Sequence, residues 1–421
     1  MIVETGTGRV EGVEFKGETG VPITAFRGIP YARAERFAAP QPVPPWPEVL
    51  AATAPGPAAP QPPSRLAHIM GSFEVPQDEQ CLSLNVWAPT GTGHPVLVFL
   101  HGGGFSSGSG GLPWYDGAEL AAYGELVVVT VNYRLGVLGY LRLPGVSDGN
   151  MGLLDQVSAL RWVRDNIEAF GGDPTAITIS ADSAGALSLL AMLSGQSADG
   201  LFQQAILQST PAGMPPDGPD RAAAAGAMLL RELGIEPGDA ARLTDVPVAE
   251  LLTAQVNVAR QSLPELPFQL VAAPGLVAED LVAEVGARGA DGVRILLGTN
   301  KDEGAAYFPD DRSTAEAATG QMFVEPEQRL TALLTEYDAA PWLYRFDWSP
   351  EGSPFGACHT ISLPFVFGNA AAWRDAPMLM GVQPSELVDE VRGAWIAFAR
   401  NGDPGWARGS CRHFTGSVER G

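Results

Sequence analysis

An α/β fold is predicted for this chain, with a central, mostly parallel sheet and helices on both of its faces. The first observation behind this is a series of short, predominantly apolar runs after residue 80: VLVFL (96–100), LVVVTV (126–131), ITIS (177–180), AILQS (205–209), RILLG (294–298) and WLYRF (342–346). Strands apolar on both sides suit a parallel sheet covered on both sides. The second is the helical patterning between several of these runs, which implies right-handed crossovers. It is clearest in MGLLDQVSALRWVRDNIEAF, where Leu153, Val157, Leu160, Val163, Ile167 and Phe170 recur at intervals of three or four and GGDP ends the pattern. The third is composition. The 421 residues are 45% hydrophobic and 18% charged, which excludes a disordered or coiled-coil chain, and 50 glycines with 36 prolines supply tight loops.

Charge then narrows the function classes. Lys+Arg number 26 against 48 Asp+Glu, a formal net charge of -22. Binding to phosphates requires the opposite balance, so neither nucleic acid nor an anionic membrane is an expected partner. No apolar run approaches the roughly 18 residues that a spanning helix requires. The opening MIVETGTGRVEG lacks the basic start and apolar stretch of a signal peptide. Three cysteines, Cys81, Cys358 and Cys411, show no metal-ligand spacing and make a disulfide framework improbable. The expectation is a soluble, cytoplasmic protein that needs no metal or other cofactor.

Taken in order, the chain first shows ten prolines between Ala39 and Pro63. Such a stretch holds neither a helix nor a central strand and is expected to lie extended on a surface. The strand–helix alternation follows. Ligand sites of such sheets lie at the carboxyl ends of the strands, which directs attention to three places. At the first, HGGGF (101–105) directly follows VLVFL, and its backbone amides are free of side chains as an oxyanion site requires. A phosphate cradle is the rival there, but neither a Walker lysine nor GxGxxG follows.

The second place concerns a nucleophile. The pattern G-x-S-x-G occurs around Ser106 and Ser147, but neither serine joins a buried strand directly to a helix, as a nucleophile elbow must. Ser106 runs into GSGGLPWYDG, a loop, and Pro144 removes the segment before Ser147 from any central strand. Ala181-Asp182-Ser183-Ala184-Gly185 misses the strict pattern yet follows ITIS and opens the apolar helix ALSLLAML. Ser183 is therefore the candidate nucleophile, with a helix N-cap as its competing role.

At this point the chain resembles the type-B carboxylesterase (cholinesterase-like) family of α/β-hydrolases. The likeness is carried by FRGIPYA (26–32), ERFAAP (35–40), CLSLNVWAP (81–89), HGGGF, NYRLG (132–136), GNMGLLDQ (149–156) and ALRWVRDNIEAFGGDP (159–174). LFQQAILQS (201–209), LLGTNKDEG (296–304) and GACHTISLPFVFGN (356–369) continue it in family order. It runs almost unbroken from about residue 20 to 210 and then in islands to about 404. In this fold the serine precedes the acid and the acid precedes the histidine. His68, His94 and His101 come before Ser183, and His413 lies beyond the terminal helical stretch, which leaves His359 as the base. For the acid, Asp302 and Glu303 both follow a strand and spacing does not separate them; the resemblance implies Glu303. It also implies Gly103, Gly104 and Ala184 as oxyanion donors, and the ion pairs Arg36–Glu79 and Arg134–Asp155.

The resemblance implies one α/β-hydrolase domain over 1–421, in which 211–293 and 309–341 are shortened helical insertions over the active site. Shorter insertions imply an open entrance that accepts bulky esters. Departures from the family are Ala181 for the usual elbow glycine, Asp182 for a glutamate, and Ser362 where a glutamate is usual. The customary partner of Cys81 is missing, so Cys81 is expected reduced, and the tail after Pro404 looks truncated or replaced. Asp182 either biases the pocket towards cationic or neutral substrates or hydrogen-bonds internally. The expected activity is hydrolysis of small-molecule carboxylic esters through an acyl-enzyme. Acyl transfer on the same triad and a non-catalytic binding protein are the alternatives.

Overall fold

The computed structural model describes residues 1–17, 19–262 and 266–416. Ten strands form its main sheet: β1 (Val13–Lys16), β2 (Pro22–Pro30), β3 (Ser83–Pro89), β4 (His94–Leu100), β5 (Val127–Val131), β6 (Gly172–Asp182), β7 (Gln204–Gln208), β8 (Arg294–Asn300), β9 (Trp342–Phe346) and β10 (Cys411–Phe414). Their spatial order is β1-β2-β3-β5-β4-β6-β7-β8-β9-β10. Strands β4 to β10 all pair in parallel, and β1, β2 and β3 add an antiparallel edge beside β5. The chain steps from β4 to β5 on one side and returns to β6 on the other, so strand order reverses at β4. That reversal opens a crevice at the carboxyl ends of β4 and β6.

The principal helices are α1 (Ala118–Gly124), α2 (Met151–Asn166), α3 (Ala184–Ser194), α4 (Pro219–Glu232), α5 (Val248–Ser262), α6 (Leu281–Ala287), α7 (Arg312–Ala318), α8 (Glu325–Glu336) and α9 (Ser385–Asn401). Because strand side chains alternate, each central strand feeds two cores. Val96, Val98, Leu100, Leu207 and Leu297 pack with Leu153, Val157 and Leu160 of α2 and Leu187 and Leu190 of α3. From the opposite face Phe99, Ile206, Leu296 and Tyr344 pack with Val391, Trp395 and Phe398 of α9. The sheet is thus covered on both sides, which is why its strands read as continuous apolar runs.

Four strands, β1, β2, β3 and β10, lacked such a run. Ser83–Pro89 is buried throughout although it contains Ser83 and Asn85. The Asn85 amide is satisfied there, donating to Thr130 Oγ1 at 3.0 Å and to the Gly110 carbonyl at 3.2 Å. Pro22–Pro30 carries a register shift between Phe26 and Ile29, where Gly28 adopts φ 78°. The tail after Pro404 is a further difference. Its residues 411–414 add β10 to the sheet beside β9, and Phe414 is buried against Tyr344 and Trp395. Residues 417–421 of that tail lie outside the described residues.

The proline-rich stretch is extended apart from isolated pairings, as its composition predicts. It is anchored by Arg134, whose guanidinium donates to the Ala38 carbonyl at 2.7 Å and forms a bidentate pair with Asp155 at 2.7 and 2.8 Å. Arg36 grips Glu79 at 2.5 and 2.7 Å. Cys81 is a buried free thiol. In 211–293, of which 263–265 lie outside the described residues, and in 309–341, helices α6 and α8 pack together and insert Leu281, Val285, Leu330 and Leu334 into the first core. Among the described residues no helix is long and apolar enough to cross a membrane.

Candidate active site

Ser183 stands between β6 and α3 with φ 55° and ψ -123°, a region that residues with a Cβ enter only under strain. Its amide donates to the Gln208 carbonyl at the end of β7 at 2.9 Å, which holds the turn. Close approach makes the sharp bend possible. A Cβ at Gly185 would overlap the Leu100 carbonyl, while Ala181, in place of the usual glycine, fits buried between Leu100 and Leu207. Ser183 occupies the N-cap position of α3, yet its side chain makes no capping hydrogen bond.

That side chain turns instead to His359, whose Nε2 lies 2.8 Å from Oγ. On the other side of the ring Nδ1 lies 2.5 Å from Glu303 Oε2. An ionised carboxylate only accepts, so Nδ1 carries the proton and Nε2 is left to accept the Ser183 hydroxyl hydrogen. The second carboxylate oxygen accepts the Asn300 backbone N–H at 2.7 Å. Glu303 and His359 are fully buried and Ser183 is 5% exposed. Asp302 faces elsewhere. It is not simply solvated, because its carboxylate accepts the Ala357 N–H at 2.9 Å and thereby braces the loop that carries His359.

The loop after β4 lies against the serine: a Cβ on Gly102 would stand 2.9 Å from the Ser183 Cβ. Gly103 has φ 114°, and a Cβ there would collide with the Ser107 carbonyl, so only glycine fits. Gly104 follows at φ 60° with the Arg65 guanidinium 3.2 Å from its Cβ position. Ala184 opens α3, where the first amides have no acceptor within the helix. Gly102, which directly precedes Gly103 and Gly104, is thus the residue of this loop that lies against the Ser183 turn, and Ala184 follows Ser183 in the chain. The other candidate serines are placed differently. Ser106 hydrogen-bonds to the Gly103 carbonyl in the same loop, and Ser147 lies in a two-residue strand paired with Arg142 and Leu143. His101, stacked on Tyr133, is buried and pushed down to about 4, a neutral structural ring. His413 pairs with Asp347 at an exposed strand edge.

Burial acts to depress the His359 imidazole, but the Glu303 carboxylate, by charge and hydrogen bond and with Asp182 adding to it, holds its pKa above the ordinary 6.5. Burial pushes Asp182 up to about 7; His359 opposes the rise and Glu303 adds to it. Asp182 Oδ1 has no hydrogen-bond partner among the described residues, so this carboxyl is not absorbed by an internal hydrogen bond at that atom. Ser362 is fully buried. Among the described residues no three His, Cys, Asp or Glu side chains converge as a metal site requires.

Sequence reasoning missed three residues here. Asn300 donates its side-chain amide to the Cys358 carbonyl at 3.0 Å and to Ser209 Oγ at 3.3 Å, tying the ends of β7 and β8 to the histidine loop. Phe323 packs on the imidazole with ring centroids 5.2 Å apart, and Tyr307 at 5.5 Å. Phe323 belongs to a π-helical turn, Thr319–Val324, between α7 and α8. Thr319 of that turn accepts the Gly304 N–H at 2.9 Å, directly behind Glu303. No local pattern announces a π-turn, whereas Tyr307, four residues beyond Glu303, was within reach of a search around the acid.

A family model described as "Carboxylesterase family" matches residues 1–317. Among curated proteins the chain is similar to a probable N-octanoylanthranilate hydrolase of Rhodococcus erythropolis, 40% identical over 426 residues and 93% of each chain. It is also similar to the para-nitrobenzyl esterase of Bacillus subtilis, 37% identical over 458 residues, 96% of this chain and 90% of the relative. A solved thermophilic PNB esterase superposes with a TM-score of 0.88 at 34% identity, over 99% of this chain and 96% of that one.

Proposed function

The chain belongs to the carboxylesterase family and is a carboxylic-ester hydrolase of α/β-hydrolase fold, and from that premise we propose that Ser183, His359 and Glu303 form its catalytic triad and act on small-molecule esters through an acyl-enzyme. Ser183 attacks the ester carbonyl while His359 Nε2 takes its proton. Glu303 keeps the imidazole in the tautomer with Nδ1 protonated and stabilises the imidazolium that forms. The N–H groups of Gly103, Gly104 and Ala184 receive the oxyanion. His359 returns the proton to the departing alcohol, and water then releases the acid by the same steps. No cofactor takes part. The single observation that carries this reading is the continuous hydrogen-bonded row Ser183–His359–Glu303 at the carboxyl ends of β6 and β8.

We read residues 1–421 as one α/β-hydrolase domain, with 211–293 and 309–341 as its shortened insertions. Two relatives are named for aromatic compounds, a nitrobenzyl ester and an acylated anthranilate. The first name supports an aromatic or otherwise bulky ester as the substrate of this chain, and the second, an N-acyl compound and so an amide, supports the aromatic group alone. The test replaces the three candidate serines separately. Ser183→Ala is expected to lower ester turnover by about 10⁴-fold or more, since triad members act as a unit. Ser106→Ala and Ser147→Ala are expected to retain activity. Near-wild-type turnover in Ser183→Ala contradicts the assignment.

A further inference from the structure

One cationic group beside the candidate oxyanion loop has no role in the mechanism above: the guanidinium of Arg65, whose Nη2 stands 3.2 Å from the Cβ position of Gly104. Gly104 has no side chain, so the guanidinium rests against the backbone of the loop. The chain behind Arg65 is fixed. Leu66, Ile69 and Met70 are buried around the short helix Ala67–Met70, and the Leu66 N–H donates to Ser64 Oγ at 3.2 Å. His68 Nε2 lies 2.9 Å from the Ala306 carbonyl, which joins this segment to the turn Glu303–Ala306. Arg36 and Arg134 grip Glu79 and Asp155. Arg65 is exposed and, among the described residues, makes neither an ion pair nor a hydrogen bond through its side chain.

We infer that Arg65 recognises a carboxylate carried by the ester itself, so that the substrates of this chain include monoesters of dicarboxylic acids or esters of hydroxy-acids. This assignment rests on Ser183 as the nucleophile and Gly104 as an oxyanion donor. An oxyanion accepted by the Gly104 N–H lies within about 9 Å of that Nη2, given the 3.2 Å contact, standard backbone dimensions and one hydrogen bond. A carboxylate on the guanidinium is therefore within reach of the reacting carbon through one aromatic ring or a short alkyl chain.

The chemistry of the group selects the ligand. A guanidinium presents parallel N–H donors that match the two oxygens of a carboxylate, and it repels a cation. Its charge also opposes that of the Glu303 carboxylate, which alone repels an anionic ester. A contact remote from the reacting carbon is made equally in the ground state and the transition state, so it lowers KM and leaves kcat little changed. A guanidinium that stabilised the oxyanion instead would act on kcat, and on charged and neutral esters alike.

Arg65→Gln removes the charge from an exposed side chain, and Tm confirms folding. Wild type and variant are assayed on two pairs of esters that differ only in charge. The alcohol varies between 3-carboxyphenyl and 3-carbamoylphenyl butyrate, and the acid between monoethyl adipate and its terminal amide. In at least one pair the variant is expected to lose about 5- to 50-fold in kcat/KM for the carboxylate relative to the amide, through KM, as for hydrogen bonds to a charged group that water partly screens. The pair that responds identifies the side of the ester that carries the carboxylate. Added salt should lower the carboxylate-to-amide ratio of the wild type much more than that of the variant. Arg65→Glu should lower the ratio further, and Arg65→Lys should recover part of it. Wild-type ratios in both pairs overturn the inference. So does an equal loss for charged and neutral esters, a loss confined to kcat, or a wild type that hydrolyses neither carboxylate. Ser183→Ala run in parallel separates the two readings: if it remains active the nucleophile is misassigned, and if it is dead while Arg65→Gln keeps the wild-type ratios only the arginine inference fails.

Discussion

Replacing Glu303 by glutamine exchanges one oxygen for an NH₂ group, and the surroundings determine where that group must go. Oε1 accepts the Asn300 backbone N–H at 2.7 Å, a donor that cannot be reversed. Turning the new amide to face this donor would leave two N–H groups opposed in a fully buried site, a cost of about 1–3 kcal/mol. The amide oxygen therefore stays on Asn300 and the NH₂ group faces His359 Nδ1. An imidazole confronted by a donor at Nδ1 moves its proton to Nε2, which then points an N–H at Ser183 Oγ and cannot serve as base. The expected loss in kcat is about 10⁴-fold, or roughly 5.5 kcal/mol of transition-state stabilisation. Glu303→Asp keeps the charge on a side chain one methylene shorter and should lose only about 10- to 100-fold. Initial rates on a 4-nitrophenyl ester at several pH values measure both, with Tm recorded to confirm folding. A glutamine variant within tenfold of wild type refutes the tautomer argument.

The rate kcat/KM should rise with pH as His359 loses its proton, through a midpoint above 6.5, because Glu303 favours the charged ring. Asp182→Asn removes a second charge that favours the imidazolium and should move that midpoint to lower pH; an unmoved or raised midpoint contradicts the coupling. Arg134→Met strands the fully buried Asp155 carboxylate and should cost about 3–5 kcal/mol in denaturant unfolding. A cost below about 1 kcal/mol would show that Asp155 finds another partner. With one acyl group, a naphthyl ester should be processed at least as well as an ethyl ester, and selective hydrolysis of the ethyl ester would argue against an open entrance.

The sequence by itself determined the layering of this protein. Runs such as VLVFL and AILQS are apolar at both alternating positions only because helices cover both faces, and that requirement is local. It also singled out Ser183 over Ser106 and Ser147, since an elbow needs a strand before it and a helix after it within a few residues. Where a strand's polar groups are satisfied across the sheet, as for Asn85 in Ser83–Pro89, local pattern carried no signal. The edge strand Cys411–Phe414 was equally hidden, because its pairing with Trp342–Phe346 joins segments some 70 residues apart. Asp302 and Glu303 are neighbours in the chain, and spacing could not separate them. Tertiary structure did, by directing Glu303 inward to the Asn300 amide and the imidazole and Asp302 to the Ala357 amide. The same holds for the environment of Asp182 and the placing of Phe323 and Tyr307 against His359. A pKa and a ring contact depend on groups brought together from the segments that follow three different strands, and only folding sets the distances between them.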